Sequence, residues 1–338
     1  MKTNFKKLEE SKEYTFEEAA KNWLQNMMVI TKESTYSKYS ILVKIHLLPD
    51  LRQYKLKDLN SVMLEQYLYK KWKEGRLDGK GSLAPSTVRL LACILQSILR
   101  FAKQIGYIDT TYGTISKPKL ILNEMELFTS EEQKCLEEYI FCKQDLGAYG
   151  IYICLYTGLR LGEICALTWG DIYLENRYLK VRRTLQRIQV ADPSKDPYGA
   201  KTKILIDIPK SKSSLRDIPL TLSMQRLLYT IRLSNPACYV LTGEAEHYMD
   251  PRTYQKRFHR YLKECGLKSR NFHTLRHQFA SNCIAIGVDV KSLSEILGHS
   301  NVNITLNRYV HSNMELKRIQ LNKLDPAAIQ MTAGKNFF

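Results

Sequence analysis

Apolar residues in the first third of the chain recur at intervals of three and four, in segments bounded by start and stop signals. This periodicity commits residues 13–110 to helices. Thr15 followed by Glu18 is a capping box, and Trp23, Leu24 and Met27 continue the apolar stripe behind it. Thr31 to His46 repeats the pattern through Tyr36, Tyr39, Leu42 and Val43, and Pro49 is expected to end it. A third run covers about Val62 to Trp72. After a polar loop from Gly75 to Gly81, Pro85-Ser86-Thr87 opens a fourth helix. Its Val88, Leu91, Leu95, Leu99 and Ala102 share one face, and Gly106 marks its end. Four such helices are expected to pack as a small bundle.

Beyond it, Tyr112 to Asn123 (with Gly113, Ser116 and Pro118) loses helical periodicity and reads as a linker. Phe128-Thr129-Ser130-Glu131-Glu132 starts a new helix, and Tyr149 to Trp169 is a long apolar helical stretch broken at Thr157-Gly158. Strand character follows at Tyr178–Leu185, Ile204–Pro209 and Leu215–Leu220. The last two flank the polar turn Lys210 to Ser214 and are expected to form a hairpin. Val190 to Thr202 reads as a loop, and helical patterns resume near Arg252. The fold class is therefore mainly α with a small antiparallel β-sheet.

Of the 338 residues, 44% are hydrophobic, enough for a core in each of two domains. The 51 Lys and Arg outnumber the 34 Asp and Glu by 17, and residues 1–120 hold 21 of the former against 12 of the latter. Both halves are thus basic. Such an excess favours a polyanionic partner through counterion release, although a basic surface with no such partner carries the same charge. The eight cysteines show no C-x-x-C spacing and read as small hydrophobes in a reduced compartment. No apolar h-region follows the basic N-terminus and no run approaches a membrane span, so a soluble, cytoplasmic protein is expected.

Chemistry concentrates in the second half. Arg160 and Glu163 stand at i, i+3 and can share a helical face; taken alone, the pair reads as a solvated ion pair, while the carboxylate could also orient a nearby cation. His273 and Arg276 repeat that spacing. His273 and His277 have the i, i+4 spacing of helical metal ligands, but no third ligand stands near, so neither metal nor cofactor is expected. Val290, Leu293, Ile296 and Leu297 form an amphipathic face ending at Gly298, a natural C-cap from which His299 emerges; Tyr309 follows ten positions later. Among 21 tyrosines a lone one is usually packing. Two arginines and two histidines ahead of it can hold a phosphodiester and neutralise its transition state while a tyrosine oxygen attacks. In the helical part, Thr35, Ser37 and Lys38 stand at one helix start and Ser86, Thr87 and Arg89 at another. There they suit phosphate oxygens or ordinary capping equally.

Thr157-Gly158-Leu159-Arg160-Leu161-Gly162-Glu163, His273-Thr274-Leu275-Arg276-His277, Leu297-Gly298-His299-Ser300 and Thr305-Leu306-Asn307-Arg308-Tyr309-Val310-His311 together resemble the tyrosine recombinase (phage integrase) family, over about residues 125–315 and in the family's order. The His-to-Tyr separation is similar to that of integrases of conjugative transposons and related phages. The resemblance implies a DNA strand transferase that works through a 3′-phosphotyrosine and a Holliday junction. Tyr309 would be the nucleophile, Arg160, Arg276 and His299 the phosphate ligands, and His273 an acid/base and positioning group. Glu163 would support them. A β-hairpin lysine would protonate the leaving 5′ oxygen; the family pattern places that role on Lys210, with Lys212 selected by a shorter register.

The resemblance further implies a basic tail at 1–12, a helical core-binding (SAM-like) domain at 13–111, a linker at 112–123 and a mixed α/β catalytic domain at 124–311. A C-terminal tail at 312–338 would dock on its own domain or on a neighbouring protomer. Too few residues precede the first helix for a separate arm-binding domain. The implied partners are double-stranded DNA, three further copies in a homo-tetramer on that DNA, and an accessory DNA-bending or excisionase protein. A DNA-binding regulator without catalysis, or a type IB topoisomerase, would share parts of this pattern.

Overall fold

The computed structural model describes residues 13–76, 78, 79, 81–109, 112, 113, 115–119, 126–191, 200–208, 212–309, 318 and 322, with the backbone alone for 212 and 307–309. The chain divides into two compact units, one of residues 1–123 with 188–203 and one of 124–187 with 204–338.

In the first unit, helix α1 (Phe16–Ile30) begins at the capping box of Thr15 and Glu18 and buries Phe16, Ala19, Ala20 and Trp23. Helix α2 (Glu33–Leu42) runs into a π-helical turn (Val43–Leu47) and then α3 (Leu48–Leu51). Pro49 therefore does not end the segment as expected. It lies in the first turn of α3, where a missing N–H costs least, and the widened turn before it absorbs the change. The Tyr67 hydroxyl donates to the His46 carbonyl in that turn. Helices α4 (Ser61–Glu74) and α5 (Pro85–Gln104) complete the bundle, with Val88, Leu91, Leu95 and Ile98 of α5 buried along its length.

The described part of the expected linker is bound to this bundle. Ile115 is fully buried, Ser116 N donates to Glu65 Oε1 at 2.8 Å, and Arg89 Nη1 donates to the Pro118 carbonyl at 2.9 Å. Residues 188–203 join the same unit: the Ser37 hydroxyl donates to the Gln189 carbonyl, and Lys44 Nζ to that of Ala191 at 2.7 Å.

The second unit is built around α7 (Leu146–Thr157), whose Ile151, Ile153, Cys154 and Leu155 are buried. It follows α6 (Ser130–Lys143), which opens at a second capping box, Thr129 with Glu132. After α8 (Leu161–Ala166) the strands are β1 (Ile172–Tyr173), β2 (Tyr178–Val181), β3 (Thr184–Gln189), β4 (Thr202–Asp207) and β5 (Arg216–Pro219). They form two small sheets, ordered β1-β2-β5 and β3-β4. The expected hairpin of the last two strands is thus corrected. β4 pairs with β3, and β5 pairs antiparallel with β2, setting Ile218 opposite Leu179 and Arg216 opposite Val181. The register explains the choice: it places two fully buried residues side by side on the core face. Helix α9 (Leu222–Ile231), capped by Thr221, went unread in the sequence. Helices α10 (Pro251–Glu264), α11 (His273–Ala285), α12 (Val290–Leu297) and α13 (Val302–Tyr309) close the unit, with α13 packed on α11 and α12. No helix among the described residues is long and apolar enough to cross a membrane.

Candidate active site

The site lies where α7, β5, α11 and α12 end or begin. Helix α7 stops at Gly158, which takes the left-handed conformation at φ 66°. A Cβ there would stand 2.6 Å from Phe279 and 2.9 Å from Leu297, so only glycine lets α11 and α12 close on this turn. Two residues on, Arg160 occupies the N-cap position of α8, and its backbone N–H donates to Glu163 Oε2 at 2.9 Å.

Glu163 is 3% exposed and sits between two guanidinium groups. Its Oε1 accepts from Arg160 Nη1 at 2.7 Å and Arg216 Nη1 at 3.0 Å, and its Oε2 from Arg216 Nη2 at 2.8 Å. Burial pushes the carboxyl pKa up, but the charges and hydrogen bonds of Arg216 and Arg160 outweigh it and hold the group at about 2. The solvated ion pair that the spacing alone suggests is therefore corrected: the carboxylate is an enclosed strut shared by two arginines.

Helix α12 supplies the opposite side. It ends at Gly298, again left-handed at φ 65°, and its last carbonyls point at the arginines. Ile296 O accepts from Arg216 Nε at 2.5 Å, Leu297 O from Arg276 Nη2 at 2.6 Å, and Gly298 O from Arg160 Nη2 at 3.1 Å. Three consecutive carbonyls at the negative end of one helix thus each take a different arginine. Arg276, from α11 and 2% exposed, also donates to the Gly158 carbonyl at 2.8 Å. These bonds fix the forks of Arg160 and Arg276 in one corner, and the Arg160 side chain stays 35% exposed.

His299 follows Gly298 directly, and its Nδ1 lies 2.8 Å from the hydroxyl of Thr305, a fully buried residue of α13. His273 opens α11, half-buried, with its ring edge-on to that of His277 at 4.7 Å between centroids. No group of three His, Cys, Asp or Glu among the described residues is placed to hold a metal ion. Position 309 ends α13; the Tyr309 side chain lies outside the described residues, as do Lys210 and the side chain of Lys212. The short turn of residues 212–214 comes close to the site, since a Cβ at Gly298 would stand 2.9 Å from the Ser213 carbonyl.

Sequence reasoning brought Arg160, Glu163, Arg276 and His299 into one candidate set, and the fold gathers them. It missed Arg216 and Thr305. Arg216 alternates with the core residue Ile218 on one face of a strand, which marks a buried cation in want of a carboxylate.

In the first unit, Lys38, Ser86 and Thr87 line one cavity of about 230 Å³ with Leu42, Leu90 and Gln189. The N-caps of α2 and α5 are Lys32 and Ala84, and neither helix start has a side-chain cap. Ordinary capping is therefore not what Thr35, Ser86 and Thr87 do. Ser37 is 3% exposed and engaged with Gln189, and Arg89 is engaged with Pro118. The basic tail at 1–12 and nearly all of the tail at 312–338 lie outside the described residues.

Three arginines held by consecutive carbonyls at one helix end, two of them sharing a buried carboxylate, stand beside a histidine and a tyrosine-bearing helix, an arrangement of fixed cations suited to a phosphodiester. Comparison with known proteins agrees. The model of the phage integrase family matches residues 131–315, and that of the phage integrase N-terminal SAM-like domain matches residues 15–73. A tyrosine recombinase XerC-like protein of Caldanaerobacter subterraneus subsp. tengcongensis is 27% identical over 313 residues, spanning 86% of this chain and 77% of the relative. In fold, the chain is similar to the Tn1549 transposon integrase in complex with a circular intermediate DNA (TM-score 0.71, 21% identity, 92% of this chain and 99% of that one). It is also similar to a lambda integrase tetramer bound to a Holliday junction (TM-score 0.62, 18% identity, 88% and 78%). The chain belongs to the phage integrase family, and it is a tyrosine-type site-specific DNA recombinase.

Proposed function

We propose that the chain integrates and excises a mobile element by cutting and rejoining double-stranded DNA through a 3′-phosphotyrosine at Tyr309. The tyrosine oxygen attacks phosphorus and the 5′ oxygen leaves; the reverse attack by a partner strand's 5′ hydroxyl releases the tyrosine and exchanges strands through a Holliday junction. Arg160 and Arg276 grip the non-bridging oxygens, for which a planar fork that never loses its charge is suited. His299 donates to the same phosphate, His273 assists proton transfer, and Glu163 holds Arg160 in place. Lys210 supplies the proton to the leaving oxygen, with Lys212 as the alternative. Phosphodiester energy is kept in the enzyme-linked phosphate, so no cofactor is required.

The observation that carries this reading is the set of three consecutive carbonyls at the end of α12, which hold Arg216, Arg276 and Arg160 in turn beside His299. Fixed cations cost no reorganisation when charge develops on a phosphorane, which is the electrostatic contribution that counts most.

In the helical unit, Thr35, Lys38, Ser86 and Thr87 contact the DNA backbone, while the hydroxyl of Ser37 serves the fold. A homo-tetramer on DNA, an accessory bending or excisionase protein, and docking of the 312–338 tail on a neighbouring protomer complete the proposal. The solved complexes of the Tn1549 and lambda integrases support the DNA and the tetramer.

The test is covalent capture. Duplexes randomised around a central nick are incubated with the protein, and denaturation-resistant adducts are isolated and sequenced. Wild type is expected to capture one family of sites through Tyr309, and Tyr309→Phe none. Adducts formed by Tyr309→Phe would overturn the assignment. On the captured site, Lys210→Ala is expected to cleave more slowly than Lys212→Ala, and equal rates would overturn that choice.

A further inference from the structure

We propose that Thr305 is a positioning residue: its hydroxyl holds the His299 imidazole with the proton on Nε2, and does so only while the tyrosine-bearing helix is docked. The inference rests on the reading of His299 as a phosphate ligand.

Thr305 is fully buried, and its Oγ1 stands 2.8 Å from His299 Nδ1. Among the described residues that hydroxyl has no other hydrogen-bond partner. A buried hydroxyl proton left without an acceptor is costly, so the proton goes to Nδ1. An imidazole that accepts at Nδ1 carries its own hydrogen on Nε2, the tautomer able to donate to a phosphate oxygen. The backbone of His299 is tied separately, its N–H donating to Ser294 O at 3.0 Å at the end of α12. The main chain of His299 is thus anchored to α12, and its ring meets α13 through the Thr305 hydroxyl.

Helix geometry gives this link a consequence. Thr305 and position 309 are i, i+4 on a two-turn helix and share a face. The element that orients the histidine therefore also presents the nucleophile. Displacing α13 removes both at once, so a protomer with its tyrosine helix withdrawn also holds a less well oriented phosphate ligand.

The full-length protein carrying Thr305→Val, which keeps the shape and removes the hydroxyl, is compared with Thr305→Ser, which restores it. On nicked duplexes captured by the wild type, Thr305→Val is expected to cleave about tenfold more slowly at saturating DNA, the worth of one such hydrogen bond, with unchanged DNA affinity. Thr305→Ser is expected to cleave near the wild-type rate. In a His299→Asn background Thr305→Val should add no further loss. Nitrogen-15 spectra of the protein alone should show the Nε2–H tautomer at His299 in wild type and Thr305→Ser, and a mixture in Thr305→Val. Wild-type cleavage by Thr305→Val beside an impaired His299→Asn would overturn the inference alone. Wild-type cleavage by His299→Asn would overturn the reading beneath it, and the inference with it.

Discussion

Arg216 grips Glu163 with two parallel hydrogen bonds, Nη1 to Oε1 at 3.0 Å and Nη2 to Oε2 at 2.8 Å, and neither side chain is more than 5% exposed. The pair joins β5 to the start of α8, and Arg216 Nε ties both to the end of α12 through Ile296. Glu163 in turn holds Arg160. A strand residue with no evident chemistry of its own therefore sets the position of a candidate phosphate ligand.

Removing one member of a buried, hydrogen-bonded ion pair strands the other. Arg216→Met is expected to destabilise the second unit by about 3–5 kcal/mol in urea unfolding, and Arg216→Lys by less, since one cation remains without the fork. The double variant Glu163→Gln with Arg216→Met should lose less than the two singles added together. Additive losses would show that the pair is not coupled.

Acid should weaken the unit through the same carboxylate. Its folded pKa of about 2 lies below the ordinary value of 4.5, so its contribution is complete above pH 4.5 and is lost as the pH falls toward 2. The full span is on the order of 3 kcal/mol, of which about 2 disappears between pH 6 and pH 3. Glu163→Gln lacks this dependence, so over that interval wild type should lose about 2 kcal/mol more than the variant. Parallel losses would assign the acid sensitivity elsewhere.

What was legible in the sequence was local. The capping box at Thr15, the helix start at Thr129, the helix break at Gly158 and the cap at Gly298 each depend on residues within a turn of one another, and each stands where expected. Strand pairing was not legible. The segments flanking Lys210 to Ser214 have hairpin composition, yet each pairs with an earlier strand, because burial of Ile218 against Leu179 is a non-local choice. The Arg216–Glu163 pair was hidden for the same reason, its partners being 53 residues apart. Pro49 misled because the π-turn that accommodates it leaves no mark in an apolar pattern.

Gly158 tests whether the corner tolerates loosening. Alanine there meets both a positive φ of 66° and a Cβ 2.6 Å from the Phe279 ring. Strain and overpacking together should cost about 2–4 kcal/mol. Because the Gly158 carbonyl holds Arg276, cleavage should fall as well. Gly106→Ala is the control: its φ of 76° is equally left-handed, but nothing lies within 4 Å of the added methyl. It should cost about 1 kcal/mol, the backbone strain alone, and leave cleavage unchanged. Equal effects of the two variants would mean that the packing around Gly158 is not what matters.

Salt dependence separates the helical unit's phosphate ligands from its structural groups. Each phosphate neutralised by a cation releases counterions, so losing one such contact lowers the slope of log affinity against log salt by about 0.9. Lys38 is exposed beside Ser86 and Thr87, and Lys38→Ala should show that change on captured duplexes at all sequences alike. Arg89 donates to the Pro118 carbonyl, and Ser37 is buried against Gln189. Ser37→Ala should therefore lower the stability of the first unit by about 1 kcal/mol and leave the salt slope where it was. The reverse pattern, a changed slope for Ser37→Ala and none for Lys38→Ala, would place the DNA on a different face of the bundle.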